Sequence, residues 1–212
     1  MIKQLETHCR QFLKGLQTSD TAHDIDHIER VVKLATYLCK QEEGKLEVVV
    51  PAAWLHDCVS LPKNHPRRRQ ASSLAANKAI GFLKSIAYPT HYLSEIHHAI
   101  EAHSYSAGIK PTSLEAKIVQ DADRIDALGA IGISRCIQVG ASLQRTLYCD
   151  VDPMCEARPP DDSQYTIDHF FTKLLNIADT VHTGAAKREA EQRSQFMKAY
   201  LAQLSHELEP TR

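Results

Sequence analysis

The chain has 212 residues, 43% of them hydrophobic and 24% charged, enough to close a core around one domain without disulfide support. Its formal net charge of −1 gives no general pull toward nucleic acid or an anionic membrane, so any anion must be gripped locally. The six cysteines form no C-x-x-C pair, and no apolar run suits a secretion signal or a membrane span, so a soluble, cytoplasmic protein with reduced thiols is expected.

Apolar residues recur about every three to four positions, which makes the expected fold all-α. The first helix runs from about Ile2 to Gln17, with turn and cap residues at 18–21. The second opens near His23 and reaches about Lys40, aligning His27, Val31, Leu34 and Leu38 on one face. Gly44 interrupts the chain. A third helix from about Leu46 to near Val59 tolerates Pro51 in its first turns and carries Ala-Trp-Leu-His-Asp. SLPKNHPRRRQ, residues 60–70, loses apolar periodicity and reads as a loop, the most basic stretch of the chain.

Helices follow over about 71–85 and 91–103, the second with Leu93, Ile96, Ile100 and His103 on one stripe. After a loop at 104–112, EAKIVQDADRIDALGAIGISRCIQVG reads as one helix ending near Gly140. Residues 147–163, rich in Asp, Pro and Cys, form a surface excursion and a candidate lid, and amphipathic helices cover about 165–180 and 184–206. No linker divides the chain, so a single helical domain is expected, with a core over about 20–140 and a C-terminal helical extension over about 141–212.

Taken alone, His27, the doublet His56-Asp57 and Asp123 are each weak signals, since a histidine on an apolar face is ordinarily a hydrogen-bonded core residue, and His23-Asp24 is a second doublet. Together they change meaning: two imidazoles and two carboxylates from separate helices suit a divalent ion with open positions for water and substrate. Adjacent residues on a helix differ by about 100°, so His56 and Asp57 can both reach one ion, whereas Asp121 and Asp123, about 200° apart, cannot. Asp123 is the expected ligand, Asp121 its rival, and Asp126 a candidate to orient a ligand or a basic residue.

HDIDHIERV, AAWLHDC and QDADRIDAL resemble the motifs of the HD-domain metal phosphohydrolases. KNHP, EAHSYSA, EAKIVQDADRIDALGAIGISR and DHFFTKLL look like a bacterial subgroup labelled YedJ-like or YpgQ-like, a resemblance extending over about residues 20–180. It implies an HD-fold helical bundle with His27, His56, Asp57 and Asp123 holding one divalent ion, Mn²⁺ before Fe, Mg, Co, Ni or Zn. The implied reaction is phosphohydrolysis of a nucleotide, with pyrophosphate released from a (deoxy)nucleoside triphosphate as water activated by the ion attacks.

Lys63, His65 and Arg68, on the loop that leaves the doublet, are the candidate phosphate grips, while Arg67 and Arg69 read as solvated. His98 and His103 are candidate phosphate or leaving-group contacts, and His65, His98 or His103 could shuttle a proton. The expected catalytic set is therefore Asp57, Lys63, His65 and His103. A 5′-nucleotidase or phosphodiesterase with the same ion remains an alternative, as does a nucleotide sensor or nucleic-acid module without turnover, built on the arginines at 67–69.

Overall fold

The computed structural model describes residues 2–16, 25–61, 65–104 and 107–208, with the side chains of residues 2 and 3 left aside. Lys63, the His23-Asp24 doublet and Tyr105 lie outside the described residues. The α-helices are α1 (Ile2–Lys14), α2 (Ile25–Gln41), α3 (Leu46–Leu55), α4 (Ala71–Ser85), α5 (Leu93–His103), α6 (Leu114–Ile125), α7 (Gly129–Ser142), α8 (Asp168–Thr172) and α9 (Gly184–Leu208). Short 3-10 helices occupy Arg68–Gln70, Thr90–Tyr92 and Leu174–Thr180. Among the described residues there is no strand, only an isolated bridge between Thr146 and Tyr165, and no helix is long and apolar enough to cross a membrane. The fold is all-α.

The chain forms two compact units: Met1–Asp123 with His182–Ala186, and Arg124–Val181 with Lys187–Arg212. In the first, α3 is buried from Val48 to Leu55 and packs against α1, α2, α4 and α5. A helix apolar on every side must be surrounded, and this one delivers the doublet at its end into the interior. The residues at 182–186 join this unit through Asp121, whose carboxylate accepts the N–H groups of His182 and Thr183 and the Thr183 hydroxyl, each at 2.9 Å. Glu42 accepts the Ala185 N–H at 2.6 Å.

In the second unit the expected single helix over 115–140 is interrupted. Ala127 and Leu128 donate to the carbonyls of Arg124 and Ile125, the tighter 3-10 closure of a helix end, and Gly129 restarts the chain at φ +71°. Gly132 is required as well, because a Cβ there would stand 2.1 Å from the Ala127 oxygen. The expected helix over 165–180 is also divided into α8 and a 3-10 stretch, with the Asn176 amide occupying the carbonyls of Phe171 and Thr172.

The excursion before α8 is held by charge. Arg158 binds both carboxylate oxygens of the buried Asp168, at 2.5 and 2.8 Å, while Asp152 accepts the N–H groups of Glu156, Ala157 and Arg158.

Candidate metal centre

His27 stands in the first turn of α2, on the buried stripe that continues through Val31, Ala35 and Leu38. The expected third helix, reaching Val59, ends instead at Leu55. There the His56 ring donates from Nδ1 to the Ala53 carbonyl at 2.8 Å, and the Cys58 N–H closes on Leu55. His103, the last residue of α5, repeats the arrangement by donating Nδ1–H to Ile100 at 2.6 Å. A carbonyl can only accept, so in both rings Nδ1 carries a proton and Nε2 faces the other way.

These nitrogens converge on two carboxylates. His27 Nε2 lies 3.3 Å from Asp123 Oδ1 and 4.0 Å from Asp57 Oδ2. His56 Nε2 lies 3.7 Å and 3.5 Å from the same two oxygens. Asp57 turns its other oxygen, Oδ1, to His103 Nε2 at 3.3 Å. Donor atoms of His27, His56 and Asp57 all fall within 4.8 Å of one another, a spacing able to hold a metal ion.

The charge states fit a cation. Burial, as the largest influence, lowers the pKa of His56 and favours the neutral ring, and its Nε2 has no hydrogen-bond partner among the described residues. A buried nitrogen lone pair directed at carboxylate oxygens costs about 1–3 kcal/mol unless a positive centre joins them. Burial opposes the ionised form of Asp123, but the His27 hydrogen bond and the surrounding imidazoles outweigh it and bring the carboxyl down to about 2. Burial likewise opposes charge on His103, yet the hydrogen bond and charge of Asp57 prevail and raise its pKa. Cys58 is no competitor as nucleophile: burial pushes its thiol up to about 12, and it donates to the Ala75 carbonyl.

Among the other expected site residues, Arg68 lines a small cavity together with Asp57 and His103, and it donates to the Leu61 carbonyl. His65 accepts the Arg67 N–H at 3.1 Å in a local turn. His98 is engaged elsewhere, accepting the Thr112 N–H at 3.0 Å. Asp121 faces 182–183, so Asp123 is the α6 carboxylate brought to the cluster, and Asp126 pairs with Arg135 at 2.5 Å. Glu101 accepts the Ser73 hydroxyl at 2.6 Å. Sequence reasoning missed Ser60, Ser72 and Ser104 on the cavity wall; the available signal was Ser72, the one polar residue on the α4 stripe of Ala75, Ala76, Ala79 and Leu83.

The HD domain model matches residues 24–128. An uncharacterized protein of Bacillus subtilis, YpgQ, is 30% identical over 212 residues, covering 98% of this chain and 95% of its own. The chain belongs to the HD domain family. Solved HD proteins agree with it over their whole length. An HD-superfamily hydrolase from Bacillus thuringiensis is 33% identical, with 97% of this chain and 96% of its own covered and a TM-score of 0.75. Bacillus subtilis YpgQ in complex with ADP is 32% identical, with 98% and 97% covered and a TM-score of 0.71. This HD protein is accordingly a hydrolase, of the metal-dependent phosphohydrolase class to which its motifs pointed.

Proposed function

We propose that this HD protein hydrolyses nucleotides with the help of one divalent ion, and that its reaction is release of pyrophosphate from a (deoxy)nucleoside triphosphate. The observation that carries the reading is the bare, buried Nε2 of His56 against the oxygens of Asp57 and Asp123, an arrangement a cation resolves. The solved relative bound to ADP supports a nucleotide as the ligand.

His27, His56, Asp57 and Asp123 would hold the ion, with Mn²⁺ the expected occupant and Fe, Mg, Co, Ni or Zn compatible with the same donors. When bound, it supplies Lewis acidity, drawing charge from a phosphoryl oxygen and making water a better nucleophile at neutral pH. The backbone carbonyl behind His56 fixes that ring with Nε2 forward. Arg68 offsets phosphate charge, and Lys63 and His65 extend the grip along the same loop. The oxygen of water bonds to the α-phosphorus and its proton passes to solvent, the bond from the α-phosphorus to the α–β bridging oxygen breaks so that this oxygen leaves with pyrophosphate, and His103 is available to hand a proton to it. His98, engaged by Thr112, has no role in this reading.

The test is elemental analysis of the purified protein, followed by turnover of a nucleoside triphosphate panel with added Mn²⁺, in wild type and Asp57→Ala. The expected result is metal-dependent formation of monophosphate and pyrophosphate in one step, lost in the variant. Orthophosphate as the sole phosphate product would point to a nucleotidase instead, and a folded Asp57→Ala protein with wild-type turnover would end the reading.

A further inference from the structure

Beside the metal centre lies a cavity whose wall includes Asp57, Ser60, Arg68, Ser72, His103 and Ser104. Among the described residues its lining is rich in hydrogen-bond donors, with Asp57 the only carboxylate. The start of α4 forms one side. The backbone there is already engaged: Arg68 N–H donates to His65, Gln70 N–H to Arg67 and Ala71 N–H to Arg68. With these three N–H groups spent, the side chains of the lining carry the binding argument.

Ser72 is the unexplained member. It is 2% exposed, at the head of the buried alanine stripe of α4, and its hydroxyl has no hydrogen-bond partner among the described residues. Helical serines ordinarily spend the hydroxyl on a nearby carbonyl. Here Ser85, Ser134 and Ser142 do so, and Ser73 donates to Glu101. Alanine at position 72 would continue the stripe and leave no polar atom stranded. A buried donor without an acceptor among the described residues, on a residue that lines a cavity shared with a guanidinium, is a place for an oxygen of an anion once the hydroxyl rotates toward it.

We infer that Ser72 is a substrate-binding residue whose hydroxyl donates to a non-bridging oxygen of the phosphoryl group next to the one attacked, seated beside Arg68. The inference rests on the phosphohydrolase reading above and adds which phosphate sits where. The two oxygens of Asp57 separate the places: Oδ2 faces His27 and His56, where the attacked phosphorus belongs, and Oδ1 lies 3.3 Å from Nε2 of His103, which lines the cavity. The leaving phosphate thus falls on the side of Arg68 and Ser72, with His103 between.

The experiment is calorimetric titration of inorganic pyrophosphate into the full chain with Mn²⁺ present, for wild type, Ser72→Ala and Ser72→Thr, with melting temperatures of each. Loss of one hydrogen bond to a charged oxygen weakens binding by about tenfold or more. Ser72→Ala is expected to bind pyrophosphate that much more weakly, to raise KM for a nucleoside triphosphate in parallel, and to melt at or above the wild-type temperature. Ser72→Thr, which keeps the hydroxyl, is expected to recover most of the affinity. Equal affinity in wild type and Ser72→Ala, or no pyrophosphate binding by wild type, overturns the inference. Should nucleoside triphosphates survive intact while pyrophosphate binding still depends on Ser72, the nucleotide reading falls and the phosphoryl seat stands.

Discussion

Two polar clusters in this molecule are both centred on aspartates and finished differently. Around Asp168, both carboxylate oxygens are taken by Arg158 and one also by the Asp161 N–H, while Asp152 is capped by successive backbone N–H groups. Around Asp57, an imidazole nitrogen of His56 meets carboxylate oxygens with no proton to share. A cluster saturated with its own donors spends its interactions on holding a loop. One that lacks a positive charge at its centre is waiting for a ligand, and the difference is legible atom by atom rather than by counting charged residues.

Removing one group from each cluster should separate the two roles. His56→Ala should abolish bound metal and lower turnover by about 10³-fold or more, since the Lewis-acid contribution goes with the ion. Metal retained at one equivalent in His56→Ala would break the comparison.

Asp168→Ala should do the reverse. Stripping the partner from Arg158 should cost about 3 kcal/mol in urea unfolding while metal content stays at the wild-type value. This contribution has a sign in pH. Burial raises the Asp168 pKa, but the Arg158 hydrogen bond and charge together with the bonds from the Asp161 N–H and Cys155 outweigh it, so the folded carboxyl lies below the ordinary value. Its stabilisation is complete above the unfolded pKa of about 3.9 and fades as pH falls through the folded one, so the gap between wild type and Asp168→Ala should close below about pH 4. A gap independent of pH would show that the ion pair is not its source.

The smallest effect sharpens the contrast within a single helix. Asp121→Asn should lower stability by about 1.5–3 kcal/mol by weakening the charge-assisted bonds to His182 and Thr183, with metal still bound. Asp123→Asn should lose metal instead. Circular dichroism melts and elemental analysis of the two variants decide it; loss of metal from Asp121→Asn alone would reverse the assignment.

Most of this site could be read from sequence because its residues interrupt apolar patterns that are otherwise complete. His27 falls on the stripe of α2, and His56-Asp57 ends a helix apolar on every face. Other features left no such mark. The break before α7 hides in a continuous helical period, since Gly129 and Gly132 become necessary only once the chain turns back against the Ala127 carbonyl. His98 and His103 share a helix with similar neighbours, and only packing turns one to Thr112 and the other to Asp57. Ser72 reads as one more small residue until its hydroxyl is found without an acceptor.

The tethering of His56 and His103 to carbonyls of their own helices has a thermodynamic consequence for ion uptake. Each ring is immobilised when α3 or α5 forms, so its rotational freedom, worth about 0.5–1.5 kcal/mol per side chain on association, is already surrendered before an ion arrives. Affinity for the ion is thereby tied to the end of α3: fraying its last turn releases the His56 rotor and weakens the site without altering any ligand, whereas fraying the end of α5 loosens only the His103 partner of Asp57.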